Sequence, residues 1–262
     1  MPTEGNRFRT AARHYLRGRA AYAPLLVRRV AGLCGLRPAH RVPDLGCGPG
    51  QLALAFAPFA AGVVGVNPEP EMLAVARQEA ARAGIPVDFR EGSSLDLGPG
   101  LGVFFLTVIG RAFHWMDRPE TLRRLDRIVE PGGAVVLFGG DHPAVPDNRW
   151  CAAFEGLVDR YAEGDAARAE RKAPGWLSHE AVLLGSPFAH LERHAVIQRR
   201  QTPVEHFVDR ALSLSSVSEE RLGPRAADLA GEVRAVVASF GSDGMVTGVF
   251  EWQALIARRE PT

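Results

Sequence analysis

The chain has 262 residues, 46% hydrophobic and 23% charged, and its 31 basic and 30 acidic side chains give a formal charge of +1. That is the composition of a globular protein of one large domain or two small ones, and the charge offers no general attraction to nucleic acid or an anionic membrane. No apolar run nears the roughly 20 residues that cross a bilayer, and three cysteines without paired spacing (Cys34, Cys47, Cys151) suggest neither a disulfide framework nor a metal site.

In chain order, Pro24 opens a helix whose apolar positions Leu26, Val30 and Leu33 follow helical spacing. Arg41 to Leu45 reads as a short strand running into a glycine-rich turn, followed by a helix over Gln51 to Phe59 and a second strand over Gly62 to Val66. Pro70 begins an amphipathic helix that closes at Gly84; Val87 to Arg90 and Val103 to Ile109 are the third and fourth strands. The fourth, VFFLTVI, is apolar on both faces, as a buried parallel strand should be. A helix over Pro119 to Val129 and a strand over Ala134 to Phe138 complete an alternation that implies a doubly wound α/β sheet. Beyond Gly140 the pattern loosens. One helical stretch is expected over Trp150 to Arg171, a strand over Leu191 to Arg200, helices over Pro203 to Leu214 and Arg225 to Phe240, and a last strand over Val246 to Arg258.

The turn Asp44-Leu45-Gly46-Cys47-Gly48-Pro49-Gly50 is the first candidate for chemistry. Glycines at a strand-to-helix junction permit positive φ and let a ligand approach the backbone, and open α/β sheets bind ligands at this edge. The spacing G-x-G-x-G, with Gln51 where a dinucleotide fingerprint needs glycine, weakens a nicotinamide or flavin reading.

This turn resembles the first motif of the class I S-adenosylmethionine-dependent methyltransferases. The resemblance continues through Val64 to Leu73, Gly92-Ser93-Ser94, Gly110 to Asp117 and Glu130-Pro131-Gly132-Gly133, while Tyr15 to Tyr22 is similar to the lid segment of the small-molecule branch. It implies a Rossmann-like methyltransferase fold, α/β with a doubly wound, mostly parallel sheet, an N-terminal lid helix and an inserted helical cap. On that reading residues 1–262 form one methyltransferase domain, with a lid at 1–35 and a cofactor-binding core at 36–140. Cap insertions occupy 141–190 and 203–240, and strands return at 191–202 and 246–258.

The implied cofactor is S-adenosylmethionine, with S-adenosylhomocysteine as product. Gly46, Gly48 and Gly50 would pass beside its methionine part and Asp44 would orient the ammonium. Asn67 stands where the family usually has an acid for the ribose hydroxyls; an amide oxygen accepts too, without charge assistance. Pro68 and Met72 would pack on the adenine, with Ser93 and the Ser94 amide at its ring edge. Gly110 and Arg111 follow the fourth strand at the same cleft.

For the transfer itself, His114 is either a general base, its ordinary pKa lying near neutrality, or a structural histidine bonded to backbone, the role the residue more often takes. Tyr15 and Tyr22, seven apart, share one side of a helix if the segment is helical, and their rings suit a sulfonium. Arg17, Arg19 and Arg111 are candidates for an acceptor carboxylate or phosphate, His142 is a second base candidate, and Trp150, Trp176, His179 and Phe207 are candidates for the acceptor pocket. Cys47 reads as a small filler between glycines. The expected protein is soluble and cytoplasmic and takes a small-molecule acceptor, with no nucleic-acid or membrane partner and no metal; oligomeric state is not legible. The rival readings are a methyltransferase-like binding or regulatory protein without turnover, and a same-fold enzyme that uses the cofactor for another reaction.

Overall fold

A computed structural model of the chain describes residues 12–260, so the first eleven residues of the lid expected at 1–35 lie outside the described residues. The first half runs α1 (Ala12–Gly18), α2 (Pro24–Leu33), β1 (Arg41–Leu45), α3 (Gln51–Phe56), β2 (Gly62–Asn67), α4 (Pro70–Ala83), β3 (Asp88–Glu91) and β4 (Phe104–Gly110). The second half runs α5 (Arg118–Ile128), β5 (Val129–Asp141), α6 (Trp150–Tyr161), α7 (Ala166–Lys172), α8 (His179–Leu184), β6 (His190–Pro203), α9 (Val204–Leu212), α10 (Glu219–Leu222), α11 (Arg225–Ala238) and β7 (Met245–Arg258).

The strands form one sheet in the order β3-β2-β1-β4-β5-β7-β6. β1 to β5 are parallel, while β7 enters antiparallel between β5 and β6, pairing Trp252 with Gly140 and with Val196. The chain reverses direction at β1, which puts the switch point between β1 and β4, where ligands bind in open sheets.

Helices cover both faces. On one, Leu26, Val27 and Val30 of α2 pack with Leu52 and Phe56 of α3 and with Leu106, Phe138 and Trp252 of the sheet. Leu33, which the apolar spacing put on that face, is exposed at the helix end. On the other face, Leu122, Leu125 and Ile128 of α5 join Leu183 of α8, Phe188 and Ile109. Thus α8 packs on the sheet itself, although its residues fall in the stretch expected to be cap. A third cluster joins Trp150, Phe154 and Leu157 of α6, Phe207 and Val208 of α9, and Leu229, Val233 and Val237 of α11, all from the stretches expected to be cap.

The single helix expected over Trp150 to Arg171 is two. Gly164 takes a positive φ of 81°, and the Asp165 carboxylate then accepts the Arg168 N–H at 2.8 Å and caps a new helix. The N-terminal segment departs from expectation in a similar way. α1 ends at Gly18 and α2 starts at Pro24, so Tyr15 and Tyr22 share no helix.

α1 lies along α9, and Gly18 makes that approach possible: a Cβ there would overlap the backbone of Asp209 and Arg210. His14 Nδ1 meets Asp209 Oδ1 at 2.6 Å, Arg17 Nε meets Asp209 Oδ2 at 3.2 Å, and Arg13 pairs with Glu219. α1 is therefore tied to α9 and α10.

Candidate active site

At the carboxyl ends of β1, β2, β4 and β5 a cavity of about 890 Å³ opens, roofed by Tyr15 and Arg19 from the lid segment and by Leu214, Ser215 and Ser216 after α9. Its volume lies within the range of small-molecule sites.

The glycine-rich turn forms the wall beside β1. Gly46 and Cys47 donate N–H bonds to the Val66 carbonyl at 2.8 and 3.1 Å, which pins the turn to β2. Gly46 (φ 66°) and Gly48 (φ 53°) both line the cavity. A Cβ on Gly46 would come 2.5 Å from the Ala112 Cβ, whereas one on Gly48 meets no protein atom within 4 Å.

Asp44 and Gly50 stand behind this wall. The Asp44 carboxylate is buried and its Oδ2 accepts the Ala53 N–H at 2.9 Å, closing the first turn of α3. Its Oδ1 is buried with no hydrogen-bond partner among the described residues, and burial pushes the carboxyl up to about 7. Gly50 faces the Phe89 ring instead of the cavity. Cys47 is buried, and that burial raises its thiol well above the ordinary range, so it is no nucleophile.

At the end of β2, Asn67, Pro68, Glu69 and Met72 line the cavity. Asn67 Oδ1 accepts the Glu69 N–H at 2.9 Å, so its amide oxygen is engaged in a local turn. The same turn sets Glu69, 8% exposed, into the wall two residues on. Sequence reasoning passed over Glu69 because it weighed only the residue ending the strand. Met72 is buried and forms part of the wall beside Pro68.

Ser93 and Ser94 also line the cavity, with their hydroxyls occupied. Ser93 Oγ donates to Asp96 Oδ2 at 2.9 Å and accepts the Leu95 N–H at 3.1 Å, as part of a capping box. Ser94 Oγ accepts from Thr121 Oγ1 at 2.9 Å. What Ser94 retains is its N–H, which opens a helical turn and so has no partner within it.

After β4 the chain folds close against the lid. Gly110 has no room for a side chain, because a Cβ would overlap the Tyr22 hydroxyl. Arg111, at φ 55°, donates Nη2–H to the Ala20 carbonyl at 2.8 Å and lies 4.5 Å over the Tyr22 ring. Tyr22 itself is buried between Phe138 (5.6 Å) and Trp252 (5.7 Å) and does not line the cavity. Burial raises its phenol far above the ordinary range, which removes it as an acid or base. Tyr15 does line the cavity, with the Arg19 guanidinium 5.6 Å from its ring.

His114 lines the cavity, stacked on His179 at 6.3 Å and tilted against Trp115 at 5.0 Å. Burial, then the nearby Arg171 and His179, push its pKa down to about 3. It is a neutral imidazole with little affinity for a proton. His142 does not line the cavity; its Nε2 faces Arg210 Nη1 at 2.5 Å, and burial with that cation lowers it to about 4.

Of the proposed acceptor-pocket residues, only His179 reaches the cavity; Trp150 and Phe207 are in the cap core, and Trp176 lies 4.0 Å under Arg118. Arg17 is held by Asp209 on the outside. The wall also includes Gly139, Arg193, Ser215, Ser216 and Gln253. The four serines at 213, 215, 216 and 218 were the local signal for two of these.

Residues 42–133 match the family model of a methyltransferase domain. The chain is similar to a methyltransferase of Mycobacterium bovis, Mb3374, at 29% identity over 72% of this chain and 68% of the relative. It is also similar to the Bacillus subtilis methyltransferase YcgJ, at 34% identity over 65% of this chain and 64% of that protein. The solved YcgJ structure superposes on 90% of this chain and 98% of its own, with a TM-score of 0.54 at 18% identity over that alignment. A demethylmenaquinone methyltransferase of Thermus thermophilus is 36% identical over 42% of this chain and 52% of its own length. The chain therefore spans about half to two thirds of these curated relatives.

Proposed function

We propose that this chain is a class I S-adenosylmethionine-dependent methyltransferase, a reading supported by its similarity to a methyltransferase-domain model and to methyltransferases of two bacteria, and that it transfers a methyl group to an oxygen or nitrogen of a small molecule by in-line displacement. One observation carries the reading: the glycine-rich turn opens at Gly48 into a cavity of about 890 Å³ that is also walled by the ends of β4 and β5 and by the loop after α9. That leaves room for a cofactor and a second small molecule side by side.

The residues fit the cofactor. The empty space at Gly48 and the orphaned Oδ1 of Asp44 suit a backbone-hugging ligand with an ammonium group. Asn67 and Glu69 would face the ribose hydroxyls, Pro68 and Met72 the adenine faces, and the Ser94 N–H the ring edge. Bound there, S-adenosylmethionine supplies an electrophilic methyl on a sulfonium.

The chain's own work is alignment and exclusion of water. The lid helix, docked on α9, covers the cavity with Tyr15 and Arg19. His114, neutral and facing the cavity, accepts or donates a hydrogen bond that orients the nucleophile; held near 3, it is a poor sink for the proton. The acceptor therefore arrives as an ionised oxygen or a neutral amine.

Turnover to S-adenosylhomocysteine is the test, measured across a panel of small phenols, carboxylic acids and amines. Product with any of them supports the proposal. Cofactor binding without turnover throughout the panel would favour the regulatory reading.

A further inference from the structure

Between α6 and α8 the chain crosses the cavity as a thin strap. Arg168 and Arg171 of α7 line the cavity with His114, Trp115 and His179, yet every residue from Ala166 to Val182 is exposed or half-buried. The strap is therefore one layer of chain, with the cavity on one side and solvent on the other. Elsewhere the wall is backed by core: Leu137 and Leu255, which line the same cavity, belong to the apolar cluster between the sheet and α5.

Charges and ring faces tie the strap to the body. Asp159 of α6 meets Arg168 at 2.5 Å and Lys172 at 2.7 Å. Arg171 lies 4.2 Å over the Trp115 ring; Arg118 lies 4.0 Å over the Trp176 ring and donates Nη1–H to the Leu177 carbonyl at 2.7 Å. Ties of this kind at a surface are individually weak, and salt screens the ion pairs. A segment that buries no apolar side chain opens at a small cost compared with the sheet. Its ends are fixed: Asp165 is buried and pairs with Arg221 at 3.3 Å, and Leu183 is buried under α8. Between them Gly175 is unpacked, since a Cβ there would meet no atom within 4 Å.

We propose that residues 166–177 form a gate over the cavity, latched by Asp159, and that its opening uncovers His114 and Trp115. Closed, the strap keeps water from the wall where Trp115 stands under Arg171, with the His114 ring 5.0 Å away. Open, it gives a route into the cavity that leaves the contacts of α1 with α9 in place. The inference concerns access and goes beyond the reaction assigned to the cavity.

Lys172 is the only lysine of the chain, so a lysine-specific endoproteinase cuts the native protein at one point, inside the gate. Its rate, taken relative to a short lysine peptide, follows the population of the open form. Cleavage should quicken about three- to tenfold between about 20 and about 500 mM salt. Asp159→Asn should quicken it by a similar factor at low salt and leave less for salt to do. Modification of His114 by diethyl pyrocarbonate, read by mass spectrometry, should accelerate in step, while His142, held against Arg210 away from the cavity, keeps its rate. Cleavage only at denaturant concentrations that unfold the sheet, or a rate unmoved by salt or by Asp159→Asn, overturns the proposal. So does faster cleavage with an unchanged His114 rate, which would make the strap mobile without guarding the cavity. The wild-type salt series needs no substitution and decides the matter by itself if Asp159→Asn fails to fold.

Discussion

His114 stays uncharged through the neutral range because burial and the Arg171 guanidinium both disfavour its imidazolium. Two consequences follow at the scale of this residue. The pH–rate profile should track the ionisation of the acceptor, and His114→Ala should lower kcat by less than about tenfold, against the roughly hundredfold or more of a true general base. A larger loss, with an inflection that disappears in the variant, would restore the base role. The second consequence concerns stability. Its folded pKa lies below the unfolded value, so the unfolded chain binds more protons between about 6.5 and 3 and stability declines as pH falls through that window. Denaturant midpoints at pH 7 and pH 5 should differ less in His114→Gln than in the wild type; an identical difference would contradict the shift. At this scale the sequence made the turn glycines and Met72 legible, because backbone freedom and helical spacing are local properties. It could not show that Asn67 would spend its oxygen on the Glu69 N–H, or that Asp44 would cap α3, since both depend on where a carbonyl or N–H arrives after folding.

At the scale of elements, α1, in the segment expected to be a lid, is a short helix whose position is decided by α9. Seven-residue helices have little stability alone, so α1 depends on the close approach at Gly18 and on Asp209, which meets both His14 and Arg17. Gly18→Val should undock α1, speed proteolytic cleavage near residues 12–23 and lower kcat, while leaving the sheet's cooperative unfolding intact. Cleavage at the wild-type rate would show that α1 is held some other way. The sequence marked this segment as a lid and, if it were helical throughout, would put Tyr15 and Tyr22 on one side of it. The chain instead breaks between Gly18 and Pro24, and Tyr22 turns inward onto Phe138 and Trp252. The split between α6 and α7 was visible in Gly164 and Asp165, a stop followed by a cap, although helical spacing on either side obscured it.

For the whole molecule, β1 to β5 and their helices were legible because each strand–helix unit carries its own periodicity and glycine punctuation. The C-terminal strands were recognisable as strands. Their order was not, because inserting β7 antiparallel between β5 and β6 is a long-range choice that no local pattern records. Trp252 sits at that insertion, fully buried against Tyr22 and Phe250. Trp252→Ala should cost about 3–5 kcal/mol in urea unfolding; a loss under about 1 kcal/mol would mean that β7 does not anchor the sheet. The wall formed by Gly139, Arg193, Ser216 and Gln253 was the least legible part of the cavity, because these residues lie far apart in sequence and meet only when β6 and β7 return.

The central claim is that the turn at Gly48 holds S-adenosylmethionine, and titration of S-adenosylhomocysteine into the wild type and Gly48→Val tests it most directly. The wild type should bind saturably in the micromolar range, near −8 kcal/mol. Gly48→Val should lose at least about a hundredfold, because its side chain occupies the cleft and strains a backbone at positive φ. Wild-type affinity in the variant, or no binding by the wild type at millimolar ligand, would contradict the account.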